Sequence, residues 1–182
     1  MPSALHAEII TPERALFRGE AEEVSLRTDR GEIAFLAHHT EFVGALDITL
    51  VTVMALPSGH DPHAQRAPGS AAEITSTPLR FAVHGGFVYV ANNSVTVLAG
   101  VAERAEEVDV ARARAALERA SERFASEGVP TAPEGVAAHE GGGEALPLSG
   151  AALALLAPES AAAALRRAEV RLEAAGAGSE AR

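Results

Sequence analysis

The sequence predicts an N-terminal antiparallel β-sandwich followed by a C-terminal two-helix antiparallel hairpin. Composition is the first reason: residues 1–100 hold 22 Val, Ile or Thr, whereas residues 101–182 hold 7 and no Ile. Alanine runs the other way, 15 before the division and 25 after it. Branched side chains are stiff at the first torsion and pack well on a pleated surface, while alanine loses no side-chain entropy in a helix. The second reason is a change of hydrophobic period after Val108, from alternation to a spacing of three and four. The third is the frequency of turn residues between the alternating runs, which suits several antiparallel strands. The expected organisation is a β domain over 1–100 and a helical domain over 101–182.

The elements follow in order. Glu22 to Thr28 alternates, with Val24 and Leu26 on one face and Glu23, Ser25 and Arg27 on the other. Leu46 to Leu50 alternates too, then turns apolar on both faces through Val51, Val53 and Met54. Leu79 to Val83 reads as a third strand, ended by Gly85-Gly86. Phe87 to Ala91 and Ser94 to Ala99 are joined by Asn92-Asn93. Asparagine tolerates positive φ better than most residues, so this two-residue link suits a tight hairpin. Asp109 is placed to cap a helix by accepting from the free N–H groups of its first turn. Val110, Ala113, Leu117, Ala120 and Phe124 then form an apolar stripe, and Gly128 and Pro130 end it. A second helix is expected from about Glu159 to Ala175, striped by Ala161, Leu165, Ala168 and Leu172 and stopped by Gly176. Ser149 is positioned to cap a short helical approach that Pro158 interrupts. Two stretches carry no usable period and read as insertions: a loop at about 56–72, and an inter-helix linker at about 126–158.

Composition excludes several functions. The 182 residues include 15 arginines but no lysine, cysteine or tryptophan, and the net charge is −10. Without cysteine there is no disulfide framework, thiolate metal site or thiol catalysis. The negative balance argues against a nucleic-acid partner, which selects a basic face, and against a direct lipid anchor, since anionic membranes recruit basic patches. No apolar run approaches the ~20 residues that span a bilayer. Met1 to His6 has neither a basic segment nor an apolar core, so no signal peptide is expected and the reading is of a soluble, intracellular protein.

Candidate chemistry is sparse. His60-Asp61-Pro62-His63 offers two imidazoles and a carboxylate, yet the proline denies helical alignment and favours a polar loop. His38-His39 precedes Glu41 with no visible nucleophile beside it, which favours a surface contact over acid–base work. His84-Gly85-Gly86 looks superficially like a phosphate loop, but a strand follows it where a helix N-terminus is needed, so a hairpin turn is the better reading. No nucleophile elbow and no phosphate-loop lysine is present. The residues alone therefore read as a non-catalytic β-sandwich with a helical hairpin and no metal centre.

One long string carries more. Phe81-Ala82-Val83-His84-Gly85-Gly86-Phe87-Val88-Tyr89-Val90-Ala91-Asn92-Asn93-Ser94-Val95-Thr96-Val97-Leu98-Ala99 resembles the signature of the epsilon subunit of F-type, proton-translocating ATP synthases. Ile10-Thr11-Pro12-Glu13, Gly31-Glu32-Ile33 before His39, and Glu106-Glu107-Val108-Asp109 fall in the order that family requires. The resemblance spans residues 5–56, 73–125 and, more weakly, 159–175. It implies a ten-stranded sandwich and a two-helix hairpin. It also implies a rotor subunit of the central stalk that joins gamma to the c-ring at the cytoplasmic face of the bacterial membrane. In that family the hairpin reaches the alpha/beta catalytic head when extended and inhibits ATP hydrolysis.

The resemblance also assigns residues. Glu32 and His39 match the loop that meets the c-ring, although Ala34 stands where the family has glycine, and Ala37-His38 where it has Pro-Gly. Val108-Asp109-Val110-Ala111-Arg112-Ala113 matches a motif by which some relatives bind regulatory ATP, with Val108 in place of Ile or Leu. Arg167 and Arg171 match the arginines that meet the phosphates. No cofactor is required, and ATP is the one expected ligand. Guanidinium forks are good phosphate donors. The competing reading makes Asp109 an N-cap and the arginines a solvated face. The alternative function is a free-standing β-sandwich ligand-binding module, which one tyrosine and no tryptophan serve poorly.

Overall fold

The computed structural model describes residues 4–56, 77–127 and 160–177. Seven strands and two α-helices lie within them: β1 (Leu5–Ile10), β2 (Ala15–Thr28), β3 (Gly31–Leu36), β4 (Phe42–Ala55), β5 (Thr77–Ala91), β6 (Ser94–Ala99), β7 (Ala102–Arg104), α1 (Val110–Glu127) and α2 (Ala161–Ala174). The strands pair in the order β1-β6-β5-β4-β2-β3, and β1 also pairs with β2, which closes the sheet into a flattened barrel. β3 extends β2 at one edge and β7 lies against β5. All pairings are antiparallel except β1–β6.

Three strands run 14 or 15 residues, where the sequence suggested shorter ones. The hairpin turn expected at His84-Gly85-Gly86 is absent: β5 runs straight through it, and β4 follows in unbroken register from Met54↔Pro78 to Phe42↔Val90. What changes there is the side that faces the core. In β5, Phe81 and Val83 point inward before the glycines and Val88 and Val90 after them, so the alternation shifts by one. β4 shifts at the same level, from Leu46 on one side to Val51 and Val53 on the other. The shifted phase is what made one strand read as two.

Gly85 and Gly86 take φ of +84° and +138°, a region that L side chains rarely adopt. A β-carbon on Gly86 would lie 2.1 Å from the Leu98 carbonyl oxygen. Asn92 and Asn93 have φ of 50° and 59°, as a type I′ hairpin between β5 and β6 requires. The core is filled by Phe17, Phe35, Phe81, Leu16, Ile9 and the inward valines. Beyond Gly100 the chain returns to the sheet as β7. There the buried Arg104 donates to the Leu16 carbonyl at 3.3 Å and lies over the Phe81 ring.

Asp109 caps α1, its Oδ1 accepting from the Arg112 N–H at 2.9 Å. Ser160 caps α2 by accepting from the Ala163 N–H at 3.1 Å. Gly176, at φ +72°, ends α2 with paired bonds from Gly176 N–H to Glu173 O and from Ala177 N–H to Leu172 O. The two helices pack on each other, and α2 lies on β4 and β5. Ala163, Val170 and Ala174 face Ile48 and Ala82 on the sheet, whereas Leu172 faces Val108 and Ala113. α2 is thus a middle layer with two buried faces, one more than the predicted stripe. Phe124, the last residue of the α1 stripe, is exposed. The Ser149 cap, the stops at Gly128 and Pro130 and the His60–His63 cluster lie outside the described residues.

The two glycine environments give a direct test. Gly86→Ala meets backbone and should cost about 2–4 kcal/mol of unfolding free energy, while Gly31→Ala, at φ +123° with nothing within 4 Å, should cost about 1 kcal/mol. Urea denaturation of the two variants reads the difference.

Candidate functional site

Two groups of side chains hold the assigned residues. The first gathers where α2 crosses β5 and β7. His84 lies on β5 facing α2, and Glu103 lies on β7 beside it. Arg171, one turn before the end of α2, closes a fork on Glu103: Nε donates to both carboxylate oxygens at 3.1 Å, and Nη2 donates to Oε1 at 2.6 Å. That bond holds the Glu103 carboxyl below the usual carboxylate range, against the opposing effect of burial, with Arg112 adding to it electrostatically. Burial pushes His84 down to about 4, and Arg171 and Arg167 press it the same way, more than Glu103 offsets. Its Nε2 is buried and has no hydrogen-bond partner among the described residues.

Arg171 therefore contacts the site directly, while Arg112 acts electrostatically on Glu103 and Arg167 on His84. The Arg112 backbone N–H is held by the Asp109 cap, which fixes the first turn of α1. Val108 and Ala113 are buried in the seam between helices, so they position the turn and offer little surface. The Asp109 Oδ1 is already used by the cap, as the competing reading required. Sequence reading missed Glu103 and took His84 for part of a hairpin turn, whereas it lies within β5. The alternation Ala102-Glu103-Arg104 after Gly100 was the available signal for the first.

The second set, Glu32 and His39, is not brought together: Glu32 stands by the β2–β3 turn, and His39 lies three residues past the other end of β3. Glu32 is 84% exposed beside the β2–β3 turn and 3.9 Å from Arg27. His39 stands edge-on to the buried Phe35 ring, centroids 4.9 Å apart, with Nδ1 2.8 Å from the Thr40 carbonyl oxygen. His38, where a glycine was expected, has φ of 65°, and its N–H donates to Asn93 Oδ1 at 2.8 Å. The Asn93 amide also donates to Ala4 O, so one side chain ties this loop to β1. A cleft of about 370 Å³ lies between the Glu32 end of β3 and α2, lined by Arg27, Glu32, Thr49, Arg166 and Glu173 among others. It uses a different stripe of α2 from the arginine cluster.

A third feature is apolar. Val43 and Tyr89 are directly paired, as are Phe87 and Leu98, and all four are exposed on the outer face of β4, β5 and β6.

Residues 4–62 match the family described as ATP synthase, Delta/Epsilon chain, beta-sandwich domain. The chain is 40% identical over 119 residues to the ATP synthase epsilon chain of Solibacter usitatus (strain Ellin6076), covering 65% of this chain and 75% of that one. This chain belongs to the ATP synthase epsilon chain family. It is also 40% identical over 121 residues to the epsilon chain of Thermobifida fusca (strain YX), covering 64% and 74% of the two. Among solved structures, a chain of the Euglena gracilis mitochondrial ATP synthase assembly shares the fold. Its TM-score is 0.52 at 17% identity, over 97% of this chain and 80% of that one. The epsilon-family fold, a β-sandwich or barrel followed by two helices, is the one described above. Membership does not favour the free-standing ligand module.

His84 sets a pH dependence. It is neutral in the fold and protonates near pH 6.5 when unfolded, so the unfolded chain binds the extra proton between about pH 6.5 and 4. Stability is full above pH 6.5 and falls as the pH drops towards 4, by at most about 3 kcal/mol. Glu103, with its lowered value, adds a loss in the same direction at lower pH. Urea titrations at pH 7.5, 5.5 and 4.5 should show the decline, and His84→Gln should flatten it.

Proposed function

We propose that this chain is the non-catalytic rotor subunit of an F-type ATP synthase, linking gamma to the c-ring and coupling proton translocation to ATP synthesis. Family membership carries the reading: the match to the Solibacter usitatus epsilon chain, at 119 residues, is longer than the span from β1 to β7. The subunit works at the cytoplasmic face of the bacterial membrane, held by protein contacts and not by lipid. Glu32 and His39 face the polar loops of the c-ring. Contacts of this exposed kind are individually weak, so a ring of them acts through number. The gamma subunit takes the apolar outer face of β4, β5 and β6. Four exposed large side chains in two paired rows are costly to leave in water and suit a protein partner.

The hairpin regulates. α2 sits on the sheet chiefly through alanines, which bury little area each, so docking is weak enough to reverse. Extended, the hairpin reaches the alpha/beta catalytic head and inhibits hydrolysis. Docked, it binds regulatory ATP through Val108, Asp109, Arg112, Ala113, Arg167 and Arg171, with the arginines on the phosphates. The convergence of three arginines supports this part.

Two measurements check the reading. Phe87→Asp places a charge in the centre of the apolar face and should cut recovery of gamma with the tagged chain at least tenfold, with the melting temperature unchanged. Unaltered recovery would remove gamma from that face. Calorimetry at millimolar ATP should give a binding heat that Arg112→Ala abolishes; no heat from the unaltered chain ends the nucleotide reading.

A further inference from the structure

The arginine cluster already holds an anion. Glu103 accepts three hydrogen bonds from the Arg171 fork, which is the geometry that two phosphate oxygens would use on the same side chain. Its carboxyl stays charged although only 31% of the side chain remains accessible, because the Arg171 hydrogen bonds and charge, with smaller contributions from His84 and Arg112, outweigh burial. His84 beside it is kept neutral first by burial, with Arg171 and Arg167 acting in the same direction. The pair joins elements 68 residues apart, β7 at the rim of the sheet and α2 in the middle layer. It is therefore both the occupant of the phosphate seat and a clasp on the helix.

We propose that Glu103 is a resident anion in the arginine cluster: phosphate reaches Arg171 only by displacing the Glu103 carboxylate, and so replaces the charge that clasps α2 to β7. The proposal rests on the nucleotide reading given above and concerns the regulation of that site. Two consequences follow. The hairpin docks without nucleotide, because the internal carboxylate serves in its place. A nucleotide shifts docking only by the difference between what phosphate and carboxylate give the cluster, since a ligand moves an equilibrium only by its differential affinity. Weak binding and a shallow response are then built into the site.

The test uses the full chain with Glu103→Gln, which removes the charge and keeps the shape, and Glu103→Asp, which keeps the charge. The chain has no cysteine, so Glu41→Cys and Ser121→Cys place a fluorescent pair that reports docking of the hairpin on the sheet. Inorganic tripolyphosphate and ATP are titrated by calorimetry, and each apparent affinity is divided by the docked fraction. In Glu103→Gln the docked fraction should fall at low salt and be restored by tripolyphosphate, which should bind the docked form at least tenfold more tightly than in the unaltered chain. Glu103→Asp should resemble the unaltered chain, and thermal melts confirm that both variants fold. Unchanged or weaker tripolyphosphate binding to Glu103→Gln, with binding still lost in Arg112→Ala, overturns the proposal and leaves the nucleotide site standing. No binding of either anion to any variant overturns both.

Discussion

A β-carbon has no room at Gly86, 2.1 Å from the Leu98 carbonyl oxygen, and that close approach governs how β5 is used on either side. Before the glycines, the outward residues Ala82 and His84 lie under α2. After them, Phe87 and Tyr89 face outward on bare sheet. One strand therefore serves both the contact with α2 and the exposed apolar face, and the phase shift between them keeps Val83 and Val88 in the same core. β4 makes the same change opposite, since its register with β5 is unbroken and a twist in one strand is imposed on the other.

The middle position of α2 explains its composition. A helix covered on two sides has no broad polar face to spare, and Ala161, Ala163, Ala168 and Ala174 let it sit close to both neighbours. Close seating brings Arg166 to the Ile48 carbonyl at 3.3 Å and Arg171 to Glu103, so polar groups on its flanks supply what the small apolar side chains do not. An exposed or half-exposed pair of this kind is worth about 1 kcal/mol. Combined with methyl-sized apolar contacts, that gives a helix held in place without being locked there.

How much of this was legible depended on the range of the interaction. Asn92-Asn93, the Asp109 cap and the Gly176 stop were readable because each is a local backbone device with its own side-chain chemistry. The change from strand to helix after Val108 was readable because composition and period moved together. The continuity of β5 was not, since a shift of alternation at two glycines looks the same in sequence as a turn. The second buried face of α2 was hidden because alanine carries little hydrophobic signal, and only contact with Ile48 and Ala82 reveals it. Apart from the glycine that the family has at this position, nothing nearby in sequence marks His38 for a left-handed backbone, which is held by an amide 55 residues away.

The site residues divide along the same line. A motif match brought Arg112, Arg167 and Arg171 together on paper, and the fold places them around a common pair of groups. It could not supply Glu103, whose importance arises only when β7 and α2 become neighbours. The carboxylate changes the meaning of the cluster. Arg171 acts on both groups, Arg112 on Glu103 and Arg167 on His84, and like charges drawn to one pair repel. With Glu103 inside and His84 held neutral, the repulsion is partly neutralised within the chain. The contact between α2 and the sheet thus carries its own counter-anion, a carboxylate that belongs to the chain and is never diluted.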